Sequence, residues 1–508
     1  MTQPADLGLP FSSWRPYQLE VVADAVTELR KHDTVIINAP TGAGKSAIAV
    51  AVANMLGEHA VILVSTKQLA AQYHESLGNS VFVMQGRNNY PCLKYPHLTA
   101  DTAPCTLSED RCQYREYGCP YYEAKAKALS APIVVTNYTY WLYEANYVGR
   151  MRRPLLILDE AHRIEGELLS FVSASLNKHT MAAEDILPLG HNALFSQWRK
   201  WAAEVHLRLS PVYRNISEKA EHFNWDTSYI RRCRALHALL ENIGRLLHAD
   251  DSWLIEHRKN EVVFKPVWVS RHAQQYMLNY AQKHLLLSAT PPFPRVLGLN
   301  KPPMIEVPST FPVSSRPFVY LPVAYMSRRT MNDAIVPLCR RIEEILESHR
   351  GQKGLIHVSS YRWRDMIMAN MKDMSRIVTH DSNDREQALE MFKADPGDKV
   401  FLSPSMSEGV SFDDDLGRFS IIAKCQWPDK ADPQIKARAV QDREWYLFVT
   451  ATNIVQTYGR IVRSDKDWGI TYCLDASFKS LYNNSRQYFP HWFREAVIWE
   501  GGEDLSSN

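Results

Sequence analysis

No stretch of the 508-residue chain holds the roughly 18 consecutive apolar residues that a transmembrane helix needs, so no membrane partner is expected. Its first residues, MTQPADLGLPF, lack a basic stretch followed by an apolar one, so no secretory leader is expected. An excess of either charge is missing too. Lys and Arg number 58 against 56 Asp and Glu, a formal net charge of +2. Bulk charge therefore draws in no nucleic acid, and any attraction must come from a local groove. Internal repeats and low-complexity tracts are absent. With 45% hydrophobic and 22% charged residues, a mostly disordered chain and a coiled coil are excluded. At roughly 150 residues per domain, the length implies about three domains.

What is present reads first as α/β. Short apolar runs at Thr34–Ile37, Val61–Val64, Ile133–Val135 and Leu155–Leu158 alternate with helical patterns. Continuous runs of this kind suggest a parallel sheet covered on both faces. A segment at about 85–125 breaks the rhythm. From about 163 to 283 apolar residues recur at helical spacing, as at Leu239, Leu240, Ile243, Leu246 and Leu247, and the stretch reads as a mainly helical insertion. Its Trp198 and Trp201 are expected in a core. Residues 291–322 hold nine of the 28 prolines. Proline fixes φ and removes a donor, so a linker is expected there. Strand-like runs then resume at Gly354–Val358, Val400–Leu402, Ser420–Ala423 and Ile470–Leu474.

Four of the eight cysteines, Cys92, Cys105, Cys112 and Cys119, crowd into the segment at 85–125. Disulfides need an oxidising compartment. Structural zinc usually shows cysteine pairs two to four residues apart, and the chain has none. Four thiolates also suit a four-iron–four-sulfur cluster. Cys105, Cys112 and Cys119 recur every seven residues, which also fits one face of a helix. Spacing alone leaves these readings open.

Ala39-Pro40-Thr41-Gly42-Ala43-Gly44-Lys45-Ser46 follows a strand-like run and opens a helical one. Small residues let backbone N–H groups approach phosphate oxygens, and a helix N-terminus adds positive potential. Lys45 then reaches the β- and γ-phosphates, and the Ser46 hydroxyl ligates Mg²⁺. The strict pattern begins with glycine where Ala39 stands. Such a loop needs a partner carboxylate, and Asp159-Glu160-Ala161-His162 ends an apolar strand. Asp159 is the candidate for Mg²⁺ and Glu160 for activating water. An isolated Asp-Glu is ordinarily a solvated strand end; here the two motifs reinforce each other.

This loop and the Asp159–His162 sequence together resemble the superfamily 2 helicases. Arg15 and Gln18, in Trp-Arg-Pro-Tyr-Gln, look like the adenine-reading motif of that superfamily. Ser65-Thr66-Lys67 looks like motif Ia, Ser288-Ala289-Thr290 like motif III and Val358-Ser359-Ser360-Tyr361 like motif IV. Ser407 to Phe412, with Gly409, resembles motif V, and Gln456 to Arg463 looks like motif VI. A closer resemblance is to the iron–sulfur helicases of the XPD/DinG family. It is carried by Gly86-Arg87-Asn88-Asn89-Tyr90-Pro91-Cys92, by Cys119-Pro120-Tyr121-Tyr122, by Ile133 to Tyr138 and by Trp427 to Pro433.

The resemblance implies two RecA-like parallel-sheet motor domains, with an iron–sulfur insertion and a mainly helical arch-like insertion in the first. The expected divisions are 1–84 (motor domain 1), 85–125 (cluster insertion), 126–162 (motor domain 1 again) and 163–283 (arch). Residues 284–322 close motor domain 1 and form the proline-rich linker, and 323–508 make motor domain 2. ATP and Mg²⁺ would sit between the lobes, bound through Arg15, Gln18, Thr41, Gly42, Gly44, Lys45, Ser46 and Gly409. Arg460 and Arg463 would act as arginine fingers and Gln456 would report nucleotide state. Two arginines three apart also suit a solvated helix face. Cys92, Cys105, Cys112 and Cys119 would hold a structural 4Fe-4S cluster. The expected activity is 5′→3′ movement of a monomer along single-stranded and forked DNA, in the cytoplasm (nucleoid-associated, or in a nucleus). Thr66, Arg87, Tyr90, Tyr121, Ser359 and Tyr361 are the candidate DNA contacts, since backbone-tracking charges and aromatic faces are what single strands require. Two other readings stand beside it: a single-strand translocase that displaces protein and unwinds weakly, and a non-motor nucleotide-binding scaffold.

Overall fold

The computed structural model describes residues 2–107, 112–222, 226–404, 412–464 and 466–499. The first lobe opens with β1 (Thr34–Asn38), β2 (Ala60–Val64), β3 (Phe82–Val83), β4 (Ile133–Asn137) and β5 (Leu155–Asp159). β6 (Ala174–Asn177), β7 (Trp253–His257) and β8 (Glu261–Pro266) follow in the insertion, and β9 (Lys283–Ser288) and β10 (Met304–Glu306) return to the lobe. The second lobe holds β11 (Phe318–Ala324), β12 (Gly354–His357), β13 (Ile377–Thr379), β14 (Val400–Ser403), β15 (Phe419–Ile422), β16 (Ile470–Asp475) and β17 (Val497–Trp499).

Two seven-stranded sheets result, both wholly parallel. Their orders are β10-β1-β9-β5-β2-β4-β3 and β13-β14-β12-β15-β16-β11-β17. This is the pair of RecA-like sheets that the sequence implies. The apolar runs are continuous because both faces are covered. Val35, Ile37, Ile62, Ile157 and Leu287 enter one core, while Ile36, Val61, Leu63, Leu158 and Leu286 enter the core on the opposite face. Successive side chains of a strand point to opposite faces, so a sheet buried twice admits no polar alternation.

The insertion is mainly helical and also carries a small sheet of its own. Its helices Phe195–His222 and Thr227–His248 pack on a three-stranded antiparallel sheet, β6-β8-β7. Trp198 is fully buried there against Phe264, with ring centroids 5.0 Å apart. The insertion is also narrower than 163–283. Ile164 and Leu168 before it, and Val269, Ala273 and Met277 after it, are buried in the core of lobe 1. Its own core runs from Ala174 to Phe264 and also takes in Tyr95 from the cysteine segment.

The proline-rich segment is more than a linker. Met304–Glu306 pairs with β1 as an edge strand. Proline is tolerated beside an edge because one side of the strand needs no donors. Its Phe318 opens β11 in the interior of the second sheet, five residues before the expected start at 323. The cysteines share no helix face. Cys105 lies in a 3₁₀ turn, Pro104–Thr106, and Cys119 precedes the helix Pro120–Ser130.

Gly354 shows how tightly lobe 2 is packed. A Cβ there would lie 2.3 Å from Cζ of the buried Phe419 ring. Overpacking of this kind costs about 1–3 kcal/mol. Gly354→Ala is therefore expected to lower the urea midpoint of lobe 2 unfolding by a corresponding amount, read by circular dichroism; an unchanged midpoint would show that the ring gives way freely.

Candidate active site between the lobes

The phosphate loop leaves β1 and opens the helix Lys45–Leu56. Gly42 and Gly44 have φ of +84° and +76°, the left-handed region where a side chain is strained. Space forbids side chains as well. A Cβ on Gly42 would meet the Phe311 ring at 2.4 Å, and one on Gly44 would meet Gln18 Nε2 at 2.2 Å. Arg15 and Gln18 brace this loop. Arg15 Nη1 donates to Gly42 O at 2.7 Å, and the buried Gln18 Nε2 donates to Ala43 O at 3.0 Å. Gln18 Oε1 accepts from Arg15 N at 2.8 Å. The Gln18 amide thus ties the loop to the residues that precede its own helix.

Asp159 ends β5, fully enclosed. Its Oδ2 accepts from Tyr73 at 2.9 Å, its Oδ1 from Glu160 N at 2.9 Å, and its backbone carbonyl from Tyr138 at 2.9 Å. Glu160 follows with φ of +49°, a costly conformation for a residue with a Cβ. Its carboxylate comes to 3.9 Å from Lys45 Nζ and 3.3 Å from His162 Nδ1. Burial, reinforced by the Glu160 charge, pushes the Asp159 carboxyl up. Burial acts on Glu160 as well, but Lys45, His162 and Arg463 outweigh it and hold that carboxyl low. Of the two acids, Glu160 is the one held toward its ionised form.

His162 Nδ1 also lies 3.0 Å from Ser288 Oγ, and Ser288 Oγ donates to Thr290 O at 2.8 Å. From lobe 2, Gln456 Nε2 donates to Thr290 Oγ1 at 3.1 Å and Arg463 Nη1 donates to Thr41 Oγ1 at 3.4 Å. Lys45, Glu160, Thr290, Gln456, Arg460 and Arg463 line one cleft of about 500 Å³. Ser46 is the second residue of the helix that the loop opens. Gly409 lies outside the described residues.

Cys92, Cys105, Cys112 and Cys119 line a second cavity with Arg87, Lys94, Arg115, Tyr121 and Tyr122. Burial pushes the Cys105 thiol up, and the other three cysteines add to it, while Arg87 opposes. Among the described residues no three metal-binding side chains stand close enough to share one ion. Zinc needs four donors within about 2.3 Å of a point, whereas a four-iron cluster holds its thiolates farther apart.

The expected DNA contacts divide. Tyr121 is fully buried, its hydroxyl donating to Glu144 at 2.9 Å, with the Arg87 guanidinium 4.5 Å from its ring centroid. It offers no face to a base, a correction to its expected role, and it occupies the Arg87 cation. Tyr90 packs edge-on against it at 5.7 Å. The Thr66 hydroxyl caps a helix by accepting from Leu69 N at 3.1 Å, at the rim of the nucleotide cleft. The Tyr361 ring is covered by Arg364 at 4.8 Å. Ser359 lies in a groove of about 540 Å³ with Arg328, Lys424, Trp427, Lys430 and Tyr446. Lys430 stands 4.4 Å from the Tyr446 ring centroid. Sequence reading passed over Tyr446 and the loop-packing Phe311, because nothing local marks either.

The helicase C-terminal domain family matches residues 342–496, and the type III restriction enzyme res subunit family matches 11–187, which carries the phosphate loop and both acids. A probable ATP-dependent helicase of Methanocaldococcus jannaschii is 20% identical over 92% of this chain and 92% of its own. Over most of its length, then, the chain is similar to an ATP-dependent helicase. The regulator of telomere elongation helicase 1 of Homo sapiens matches this helicase at 25% identity, over 18% of the chain and 9% of its own length. In fold, a solved XPD helicase covers 96% of the chain and 100% of its own, with TM-score 0.63 and 16% identity. Xpd4 of S. tokodaii gives 0.62 and 14% over the same shares.

Lys45→Ala and Glu160→Gln are each expected to lower this helicase's ATPase turnover by about 10²–10⁴-fold. Glu160→Gln should still bind nucleotide in an equilibrium titration, since it removes a base and not a phosphate contact. Wild-type turnover in both variants would refute the site.

Proposed function

We propose that this ATP-dependent helicase works on DNA, moving 5′→3′ along a single strand as a monomer, with a structural 4Fe-4S cluster beside the strand's path. The observation that carries the DNA reading is the cavity lined by four cysteines, next to the motor lobe and ringed by Arg87, Lys94 and Arg115. Four thiolates give the cluster a net negative charge, which those cations suit. When bound, the cluster would staple a segment of turns that has little core of its own. Polarity rests on the family resemblance.

In this reading the phosphate loop and Lys45 hold the β- and γ-phosphates. The Ser46 hydroxyl and the Asp159 carboxylate are hard oxygen donors of the kind Mg²⁺ takes. Glu160 orients water and accepts its proton, since its carboxylate stays ionised beside Lys45. Arg460 and Arg463 neutralise charge that develops on the transferred phosphoryl group. They come from lobe 2, so hydrolysis requires the lobes to close. Gln456 ties nucleotide state to Thr290, and through Ser288 to His162. The groove at Ser359, Arg328, Lys424 and Lys430 supplies cations for a phosphate backbone, and Trp427 and Tyr446 supply faces for bases.

Two measurements test the proposal. Protein purified without oxygen should be brown and carry iron near four atoms per chain; stoichiometric zinc without iron would overturn the cluster. Tailed duplexes should unwind from a 5′ tail and not from a 3′ tail. Nucleic-acid-stimulated hydrolysis with no unwinding from either tail would shift the reading to a protein-displacing translocase.

A further inference from the structure

The helix Arg443–Tyr458 belongs to two cores at once. Trp445 in its first half is buried in the core of lobe 1, with Tyr446, Phe448 and Val449 packed on the same cluster. Ala451, Ile454, Val455 and Tyr458 in its second half are buried in lobe 2. A helix shared in this way cannot follow both bodies when they move. One end must turn against a partner that stays.

The first half is fastened to the root of the arch. Arg438, 5% exposed on the preceding helix Pro433–Gln441, lies between two indoles, 5.0 Å from the Trp268 ring centroid and 5.1 Å from that of Trp445. Its Nε donates to Val267 O at 2.5 Å, and its Nη1 pairs with Glu165. Gln434 Nε2 donates to Pro266 O at 2.7 Å, Trp268 Nε1 to Gln441 Oε1 at 2.5 Å, and Lys265 meets Asp432 at 3.3 Å. Residues 266–268 are where the chain leaves β8 and re-enters lobe 1. Glu165 sits in the first turn after the Asp159–His162 turn. The fastening therefore joins lobe 2 to the two strands of chain that frame the arch. Breaking one side of such a buried pair strands the other charge, so the pair resists separation. Between Trp445 and Gln456 the helix rises by roughly 16 Å. At that far end it holds Gln456 and leads into Arg460 and Arg463.

We propose that Arg438 is a positioning residue that pins the start of this helix to the arch root, making the helix the pivot of lobe closure. Closure is then a rotation about its first half, which swings Arg460 and Arg463 toward the nucleotide while the arch root stays engaged. The inference rests on the reading of the cleft as the nucleotide site, and adds the joint that couples that site to the arch.

Hydrogen–deuterium exchange of the full-length protein, with and without Mg-ATPγS, tests it. Residues 433–449 should exchange slowly and ignore nucleotide, while 451–463 respond. In Arg438→Met, exchange at 433–447 should rise about tenfold. Its ATP KM should stay within about twofold while its nucleic-acid-stimulated kcat, counted per nucleotide-binding site in a titration, falls about tenfold, so that loss of folded enzyme does not account for the drop. Glu165→Gln, which keeps the shape and removes the charge, should act in the same direction, and the double variant should add little to Arg438→Met. Equal nucleotide responses at 433–449 and 451–463, or a wild-type stimulated kcat in both single variants, would overturn the pivot. Nucleotide protection missing at 39–46 would instead refute the nucleotide site, so the two failures are separable.

Discussion

A parallel sheet buried on both faces has only its strand ends left for chemistry. The first lobe obeys this constraint throughout. β9 lies between β1 and β5, so the loops that leave the ends of these three strands are neighbours. The phosphate loop, the Asp159–His162 turn and the Ser288–Thr290 turn are distant in sequence, yet the strand order sets them side by side. Short contacts such as His162 to Ser288 follow from that order. The second sheet is built under the same rule and presents the end of the Arg443–Tyr458 helix across the cleft.

Neighbouring charges then separate two adjacent acids that burial acts on alike. Asp159 is enclosed by Tyr73 and Tyr138 and is pushed up. Glu160, turned out by its left-handed backbone, meets Lys45 and His162 and is held low. The strain at Glu160 is stored where the surrounding hydrogen bonds over-determine it. The same rigidity surrounds the phosphate loop, where Phe311 and Gln18 leave no room for a Cβ on either glycine.

The insertions are not free appendages. Cys92, Leu98 and Leu107 from the cysteine segment pack on the core of the arch, together with buried Tyr95. The arch root in turn packs on lobe 2 through Trp268 and Trp445, whose rings meet edge-on at 5.6 Å. The cysteine segment thus packs on the arch core, and the arch root packs on the helix that ends at the cleft. Packed interfaces shift between discrete arrangements rather than deforming smoothly, which suits a machine that must couple hydrolysis to motion.

The local signals were legible in the sequence because they are imposed by short-range chemistry. A phosphate loop needs small residues and a helix start, and two buried sheet faces need uninterrupted apolar runs. Those rules gave the α/β class, the phosphate loop and the acids at the end of β5. The edges escaped: β10 and β17 are three residues each and lie at sheet edges, where pairing with a neighbour outweighs weak local preference. The antiparallel sheet of the arch escaped for the same reason. Tertiary structure alone decided that Tyr121 is a buried prop and not a stacking face, that Gln18 braces the loop, and that one helix serves two cores. Each depends on what packs against the side chain from a remote part of the chain, and residue type carries no record of that partner.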